Sequence, residues 1–220
     1  MRRGQNTKIK IKPKYAIIVD GECEFWYIQM LKRNENLISV DLKPEIPQRK
    51  ALSEQFDKVV ELSKDYDKVY WVIDFDVVCK ETREAKKNKK TALQELKEYI
   101  NTLKKKFENI IVVIINNPCF EYWLLLHFEM TSRLYSSYNE LIRQLKKYLP
   151  DYEKSRRYYT SLNNDIYLRL ASKLPVAIIN ANKLKEFDLD NPNVGVSQMN
   201  IFFEEVLPSR FLDKSEGVFA

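Results

Sequence analysis

The chain has 220 residues, of which 45% are hydrophobic, so it is long and apolar enough to fold around a sizeable core. Its formal net charge of +6 and pI near 9.0 make nucleic acid a candidate partner. Its 4 glycines argue against glycine-rich nucleotide loops and a turn-dense all-β fold, and its 3 scattered cysteines argue against a disulfide framework or a paired-cysteine zinc site. Because no run of about 18 apolar residues is present, we expect a soluble, cytoplasmic chain without a membrane span.

The first half of the chain alternates predicted strands with predicted helices. The strands are expected at 15–19, 37–46, 69–73 and 110–115, and the helices at 24–33, 51–64 and 91–107, with a charged loop or frayed helix start at 80–90. Pro44 in the second strand and Pro47 just after it favour an edge position for that strand. The other strands are apolar throughout, which is typical of a mostly parallel sheet that is covered on both faces.

The second half, after Pro118, has a helical pattern and no convincing strand. Helices are predicted at 120–128, 138–149, 163–187 and 196–207. The sequence therefore predicts an α/β fold with a helical C-terminal extension. We expect an α/β domain over 1–130 with an extension over 131–220 packed on it, or a single domain.

Acidic side chains follow three of the predicted strands. Asp20 and Glu24 follow the first, Asp74 and Asp76 come directly after the third, and Glu121 follows the fourth. In open α/β sheets, sites form beyond the carboxyl ends of the strands, so neighbouring strands would bring these carboxylates together. Such crowding is unfavourable without a cation, and carboxylate oxygens are ligands that Mg²⁺ prefers. The sequence therefore predicts a magnesium site centred on the Asp-x-Asp pair.

Each of these residues also has an ordinary structural interpretation. Asp20 fits a helix N-cap, and Glu24 fits a first-turn residue that the helix dipole favours. Glu121 fits a surface ion pair. His127, the single histidine, lies among leucines and phenylalanine and fits a core residue better than a catalytic base.

Three segments together resemble RloB-like proteins, which are grouped with the TOPRIM superfamily. They are IIVDGECEFWYI at 17–28, VYWVIDFD at 69–76 and NNPCFEYWLLLHFE at 116–129, of which the third is the longest and most specific. AIINANKL at 177–184 and the Asn-Pro at 191–192 also match the family's layout. The resemblance implies a small parallel sheet flanked by helices, with magnesium at its acidic edge. It also implies an anti-phage role, in some cases beside a partner ATPase.

The resemblance assigns roles to the acidic residues. Asp20 takes the position of the acid that serves in general acid/base chemistry, with Glu24 as a second catalytic candidate. Asp74 and Asp76 take the metal-binding positions, with Glu121 in support. The family pattern has Glu where this chain has Asp20, and the shorter side chain reaches less far toward a phosphate or metal.

Three functions are compatible with these observations. The first is a nuclease that depends on Mg²⁺, with Mn²⁺ as a substitute, and cleaves DNA or RNA. The second is a non-catalytic effector or sensor subunit that acts with a partner ATPase, and the third is nucleotidyl transfer at the same metal site.

Two basic clusters are candidates for binding nucleic-acid phosphates. Tyrosines at 148, 152, 158 and 159 interleave with the second cluster, where rings exposed to solvent would stack on unpaired bases. The basic candidates are Lys86, Lys87, Lys89 and Lys90 in the first cluster and Lys146, Lys147, Lys154, Arg156 and Arg157 in the second.

Overall fold

A computed structural model of the chain describes residues 13–19, 21–35, 40–43 and 51–207. Over these ranges the protein is an α/β structure with one five-stranded sheet flanked by helices. The strands are β1 (Tyr15–Ile18), β2 (Val40–Lys43), β3 (Lys68–Asp74), β4 (Ile111–Asn117) and β5 (Val196–Ser197).

Ten α-helices and one short 3-10 turn surround the sheet in the described ranges. The helices of the first half are α1 (Glu22–Asn34), α2 (Leu52–Leu62), α3 (Phe75–Glu84), α4 (Ala92–Lys106) and α5 (Glu121–Leu126). Those of the second half are α6 (Tyr138–Leu145), α7 (Arg156–Thr160), α8 (Ile166–Leu170), α9 (Leu174–Asn182) and α10 (Met199–Val206), with the 3-10 turn at Ala171–Lys173.

The strands lie in the order β2-β1-β3-β4-β5. The first four are mutually parallel, and β5 pairs antiparallel with the end of β4. The predicted fold class is therefore confirmed, including the edge position of the second strand. The three strands that carry acidic ends are immediate neighbours, and Asp74 lies in register with Asn116.

Alternating side chains along the strands pack into two hydrophobic clusters, one on each face of the sheet. Tyr70 and Val72 contact the larger cluster with α1 and the helices from α5 to α10, whereas Trp71 and Ile73 contact the smaller cluster with α2, α3 and α4. The C-terminal helices thus share a core with α1. The predicted division of the chain near residue 130 stays a prediction.

The structure corrects three predicted elements. α3 begins directly at Phe75, where a loop or frayed helix start was expected only from residue 80. The single helix predicted at 163–187 is broken into α8, the 3-10 turn and α9, because Pro175 lacks an amide donor and favours the first turn of a new helix. The helix predicted at 196–207 begins only at Met199, and the first two residues of that range form β5, which was missed because two residues carry no detectable strand periodicity. Within the described ranges, no helix has both the length and the apolar character that crossing a membrane requires.

Candidate functional site

Four carboxyl groups lie at the carboxyl edge of the parallel strands, and each is positioned by a different part of the local fold. Asp74 is the last residue of β3, and Asp76 lies in the first turn of α3. Glu121 begins α5 just after β4, and Glu24 lies in the first turn of α1 just after β1. These four residues, Glu24, Asp74, Asp76 and Glu121, are called the acidic cluster below.

The Glu24 side chain is almost fully buried and lies against the start of its own helix. Gly21 is the N-cap of α1, and a Cβ atom at this position would stand only 2.3 Å from Glu24 Oε2. Glycine therefore leaves the space that the Glu24 carboxyl fills. Burial raises the pKa of Glu24 to about 7; the negative charge of Glu121 adds to the rise, and a hydrogen bond with Asp74 opposes it.

The Asp-x-Asp pair occupies the middle of the edge. Burial raises the pKa of Asp74 well above its usual range, and the charges of Glu24, Glu121 and Asp76 raise it further. Burial also raises the pKa of Asp76, with a further contribution from Glu121. Asn116 Nδ2 donates to Asp74 Oδ1 at 3.3 Å. The carboxyl groups therefore raise one another's pKa values and disfavour ionisation of the whole group in the absence of a cation.

Glu121 is completely buried and is the member of the acidic cluster that contacts the C-terminal helical region. Its Oε1 accepts a hydrogen bond of 2.9 Å from the Tyr152 hydroxyl and forms an ion pair of 3.2 Å with Lys154 Nζ. The Tyr152 hydroxyl also lies 2.9 Å from the Tyr159 hydroxyl. A cation and a hydroxyl from the region between α6 and α7 therefore satisfy one oxygen of this carboxylate.

Two buried oxygens of the cluster, Asp76 Oδ1 and Glu121 Oε2, have no hydrogen-bond partner among the described residues. Buried polar atoms are normally paired, so unpaired carboxylate oxygens in a repelling cluster fit a site that receives a cation. In the described part of the chain, no three His, Cys, Asp or Glu side chains already converge as a metal-binding group. This does not conflict with magnesium, which usually retains several waters and takes only one or two protein carboxylates.

Polar residues behind the cluster fix the end of β4. Ser197 Oγ donates to Asn116 Oδ1 at 2.6 Å, which leaves the Asn116 amide nitrogen directed at Asp74. Asn117 Nδ2 donates to the backbone oxygens of Val194 and Pro192 at 2.7 and 3.3 Å. The sequence interpretation did not include Ser197, because only the antiparallel pairing of β5 brings it beside Asn116.

Comparison with known protein families gives one match, to the family described as RloB-like protein, over residues 15–205. The matched segment includes all four members of the acidic cluster and nearly all of the 220 residues. The chain belongs to the RloB-like protein family. No curated protein matches the chain significantly. No solved structure does so either.

The structure of this RloB-like protein describes the surroundings of Asp20 but not Asp20 itself, which lies outside the described residues. Its predicted catalytic role stays a prediction. His127 is buried, and its Nδ1 lies 3.0 Å from the Trp123 carbonyl oxygen. Burial lowers the pKa of His127 to about 4, which agrees with the prediction that His127 is a core residue.

The basic residues that were predicted to contact nucleic acid lie in separate parts of the fold of the RloB-like chain. Lys86, Lys87, Lys89 and Lys90 are exposed in the turn that follows α3, where Lys90 pairs with Glu98. Lys146, Lys147, Arg156 and Arg157 are also exposed.

The prediction that these tyrosines stack on bases is wrong for three of the four, because they lie in the core. Tyr152, Tyr158 and Tyr159 are only 3%, 9% and 0% exposed. Tyr148 is more accessible, but its ring stacks on Phe128 with the centroids 5.0 Å apart. Helical packing buries these rings, which the interleaving of basic and aromatic residues in the sequence did not reveal.

Proposed function

We propose that this protein is a Mg²⁺-dependent nuclease of TOPRIM type that cleaves DNA or RNA, with Mn²⁺ able to replace Mg²⁺. The observation that carries the proposal is the acidic cluster, with its raised pKa values and its two unpaired buried oxygens. The family resemblance extends the proposal to a role in anti-phage defence. The formal charge of +6 suits a nucleic-acid substrate.

In this proposal, Asp76 and Glu121 would bind the metal ion directly through their unpaired oxygens, and Asp74 would contact it through a retained water. The bound ion would polarise the phosphodiester and stabilise the negative charge that develops on it. Asn116 would orient the Asp74 carboxylate through its amide, and the half-exposed Lys154 ammonium would contact a phosphate oxygen at the rim.

Glu24 is proposed to take the proton of the attacking water. Its pKa of about 7 suits a group that must exchange a proton near neutral pH. The water oxygen forms a new bond to phosphorus, and one of its protons passes to the Glu24 carboxylate. The bond from phosphorus to the leaving oxygen breaks, and its electron pair stays on that oxygen, which takes up a proton from solvent. Asp20, which follows β1 in the sequence, is proposed as the second group for this proton transfer.

A second candidate function is a non-catalytic effector or sensor subunit that acts with a partner ATPase. The ion pair between Lys154 and Glu121 favours it, because the lysine offsets part of the negative charge of the cluster without a metal. In that case, a stable complex with the ATPase would form, and its output would survive the loss of Asp74 and Asp76.

A cleavage assay separates these two functions. Purified protein would be incubated with end-labelled RNA and DNA in the presence of Mg²⁺, Mn²⁺ or EDTA. We expect metal-dependent cleavage by the wild type and its loss in Asp74→Asn and Asp76→Asn. Asp57→Asn, which removes an exposed carboxylate of α2, is the matched control and should cleave normally. Absence of cleavage by the wild type with either metal, or equal cleavage by the Asp74 and Asp76 variants, would overturn the nuclease proposal.

A further inference from the structure

We infer that an open groove between α1 and α7 binds the phosphate backbone of the substrate strand at a distance from the cleaved bond. The inference rests on the proposed function, because it takes the substrate to be a nucleic acid. The groove has a volume of about 550 Å³ and is lined by Gln29, Met30, Lys32, Arg33, Arg156 and Thr160. It is called the basic groove below.

One arginine of the basic groove is held in place by a buried carboxylate. Arg33 forms an ion pair of 2.6 Å with Asp165, whose side chain is fully buried. Asp165 also accepts a hydrogen bond from Asn34 and caps the start of α8 through Leu168 N. The guanidinium has five N–H donors, so a single anchored nitrogen leaves others free to bind a phosphate. Fixing the side chain in advance lowers the entropic cost of binding.

Two further cations of the groove have no ion-pair partner within the described ranges of the chain. Lys32 is half-buried and Arg156 is exposed, and neither contacts a carboxylate of a described residue. Lys32 lies in the last turn of α1, where the helix dipole favours a positive charge. Arg156 is the first residue of α7, where the dipole disfavours it. An anionic ligand in the groove would offset this unfavourable interaction.

The groove and the acidic cluster are connected by two elements. Glu24 and Lys32 lie eight residues apart on α1, which corresponds to about 12 Å along the helix axis. Arg156 follows Lys154, the cation that contacts Glu121, by two positions. At about 3.4 Å per nucleotide along a helical strand, 12 Å corresponds to roughly three to four nucleotides. A strand cleaved at the acidic cluster would thus place a flanking phosphate at the basic groove.

The lining of the groove favours a backbone phosphate over a base. The polar groups at its rim are cations together with the Gln29 amide, whereas the Thr160 hydroxyl donates to the Arg156 carbonyl oxygen; no aromatic side chain is among the described residues that line it. Stacking on a base needs an exposed ring, whereas cationic and amide donors are typical phosphate contacts. The groove is therefore expected to bind strands with little dependence on sequence.

Binding measurements by fluorescence anisotropy test this inference with labelled single strands of mixed sequence, about 20 nucleotides long, one RNA and one DNA. EDTA prevents cleavage, so binding is measured without the metal. We expect Lys32→Gln/Arg156→Gln to weaken binding at least about tenfold and to reduce the slope of log K against log salt by about 0.7 for each lost phosphate contact. The single variants Lys32→Gln and Arg156→Gln should show intermediate effects, and they keep the test valid if the double variant folds poorly.

The matched control is Lys104→Gln/Lys105→Gln, which removes the same charge from exposed positions of α4 on the opposite face of the sheet. It should bind like the wild type. Unchanged affinity and salt slope in the groove variants, with normal wild-type binding, would overturn the groove alone and leave the nuclease proposal standing. Failure of the wild type to bind either strand, together with no cleavage of either, would overturn both.

Discussion

Lys154 Nζ lies 3.2 Å from Glu121 Oε1, which joins the region between α6 and α7 to the first residue of α5. Glu121 is completely buried, so this half-exposed lysine supplies charge to a carboxylate that water does not solvate. The positive charge of Lys154 also offsets part of the rise that burial causes in the pKa values of Glu24 and Asp76. The C-terminal helical region therefore takes part in the electrostatics of the acidic cluster, in addition to packing on the sheet.

Replacement of Lys154 by methionine should make the fold depend more strongly on a divalent cation. Without the ammonium, the ionised carboxylates of the cluster repel one another with less compensation. We expect Tm at pH 8 in EDTA to fall by a few degrees, where about 2–4 °C corresponds to 1 kcal/mol in a domain of this size. Mg²⁺ should restore most of the loss. Thermal unfolding followed by circular dichroism measures both effects, and Lys147→Met, which removes an exposed lysine, is the control. Equal Tm values for wild type and Lys154→Met in EDTA would contradict the expectation.

Glu24 should make the metal-free protein less stable as the pH rises. Burial raises the pKa of Glu24 from its ordinary value of 4.5 to about 7. Between pH 4.5 and pH 7 the folded protein therefore holds a proton on Glu24 that the unfolded chain has lost. The stabilisation is complete below pH 4.5 and disappears as the pH rises through 7. We therefore expect Tm in EDTA to decline between pH 5 and pH 8 and Glu24→Gln, which cannot ionise, to show a flatter profile. A wild-type profile as flat as that of the variant would show that Glu24 does not titrate in this range.

Gly21→Ala should displace the Glu24 carboxyl with little effect on the backbone. The φ of Gly21 is −104°, which alanine adopts without strain, but the added Cβ would lie 2.3 Å from Glu24 Oε2. We expect metal affinity to fall about 10–100-fold, as for other changes that disturb the support of a metal site, while Tm in EDTA changes little. Calorimetric titration with Mn²⁺ measures the affinity. Gly21→Ala with wild-type affinity would show that the position of Glu24 is irrelevant to the metal.

The sequence predicted which carboxylates lie in the acidic cluster better than it predicted the residues around them. Asp74, Asp76 and Glu121 could be placed because strong apolar strands precede them and parallel strands end at one edge. Lys154 was assigned only to a basic cluster, because its contact with Glu121 depends on how the helices after α5 fold back. The buried tyrosines were misplaced for the same reason, since local periodicity does not show which face of a short helix meets the core.

Ser197→Ala should weaken the site through Asn116 without touching a carboxylate. The Ser197 hydroxyl donates to Asn116 Oδ1 at 2.6 Å, and its loss leaves a buried acceptor unpaired, which costs about 1–3 kcal/mol. The Asn116 amide is then free to rotate and lose its contact with Asp74. We expect a lower Tm and weaker Mn²⁺ binding, both measured as above. Ser137→Ala, which removes a hydroxyl that caps α6, is the control and should lower Tm without changing Mn²⁺ affinity.

The most direct test of the acidic cluster is an anomalous difference map from crystals of the protein soaked in Mn²⁺. We expect a peak for a bound Mn²⁺ ion at the carboxyl edge of β3 and β4. The ion should lie within bonding distance of the Asp76 and Glu121 oxygens that now lack partners. Asp76→Asn crystals soaked in the same way should show a weaker peak or none. A map without a peak among Glu24, Asp74, Asp76 and Glu121, in crystals where this edge is open to solvent, would contradict the proposed metal site.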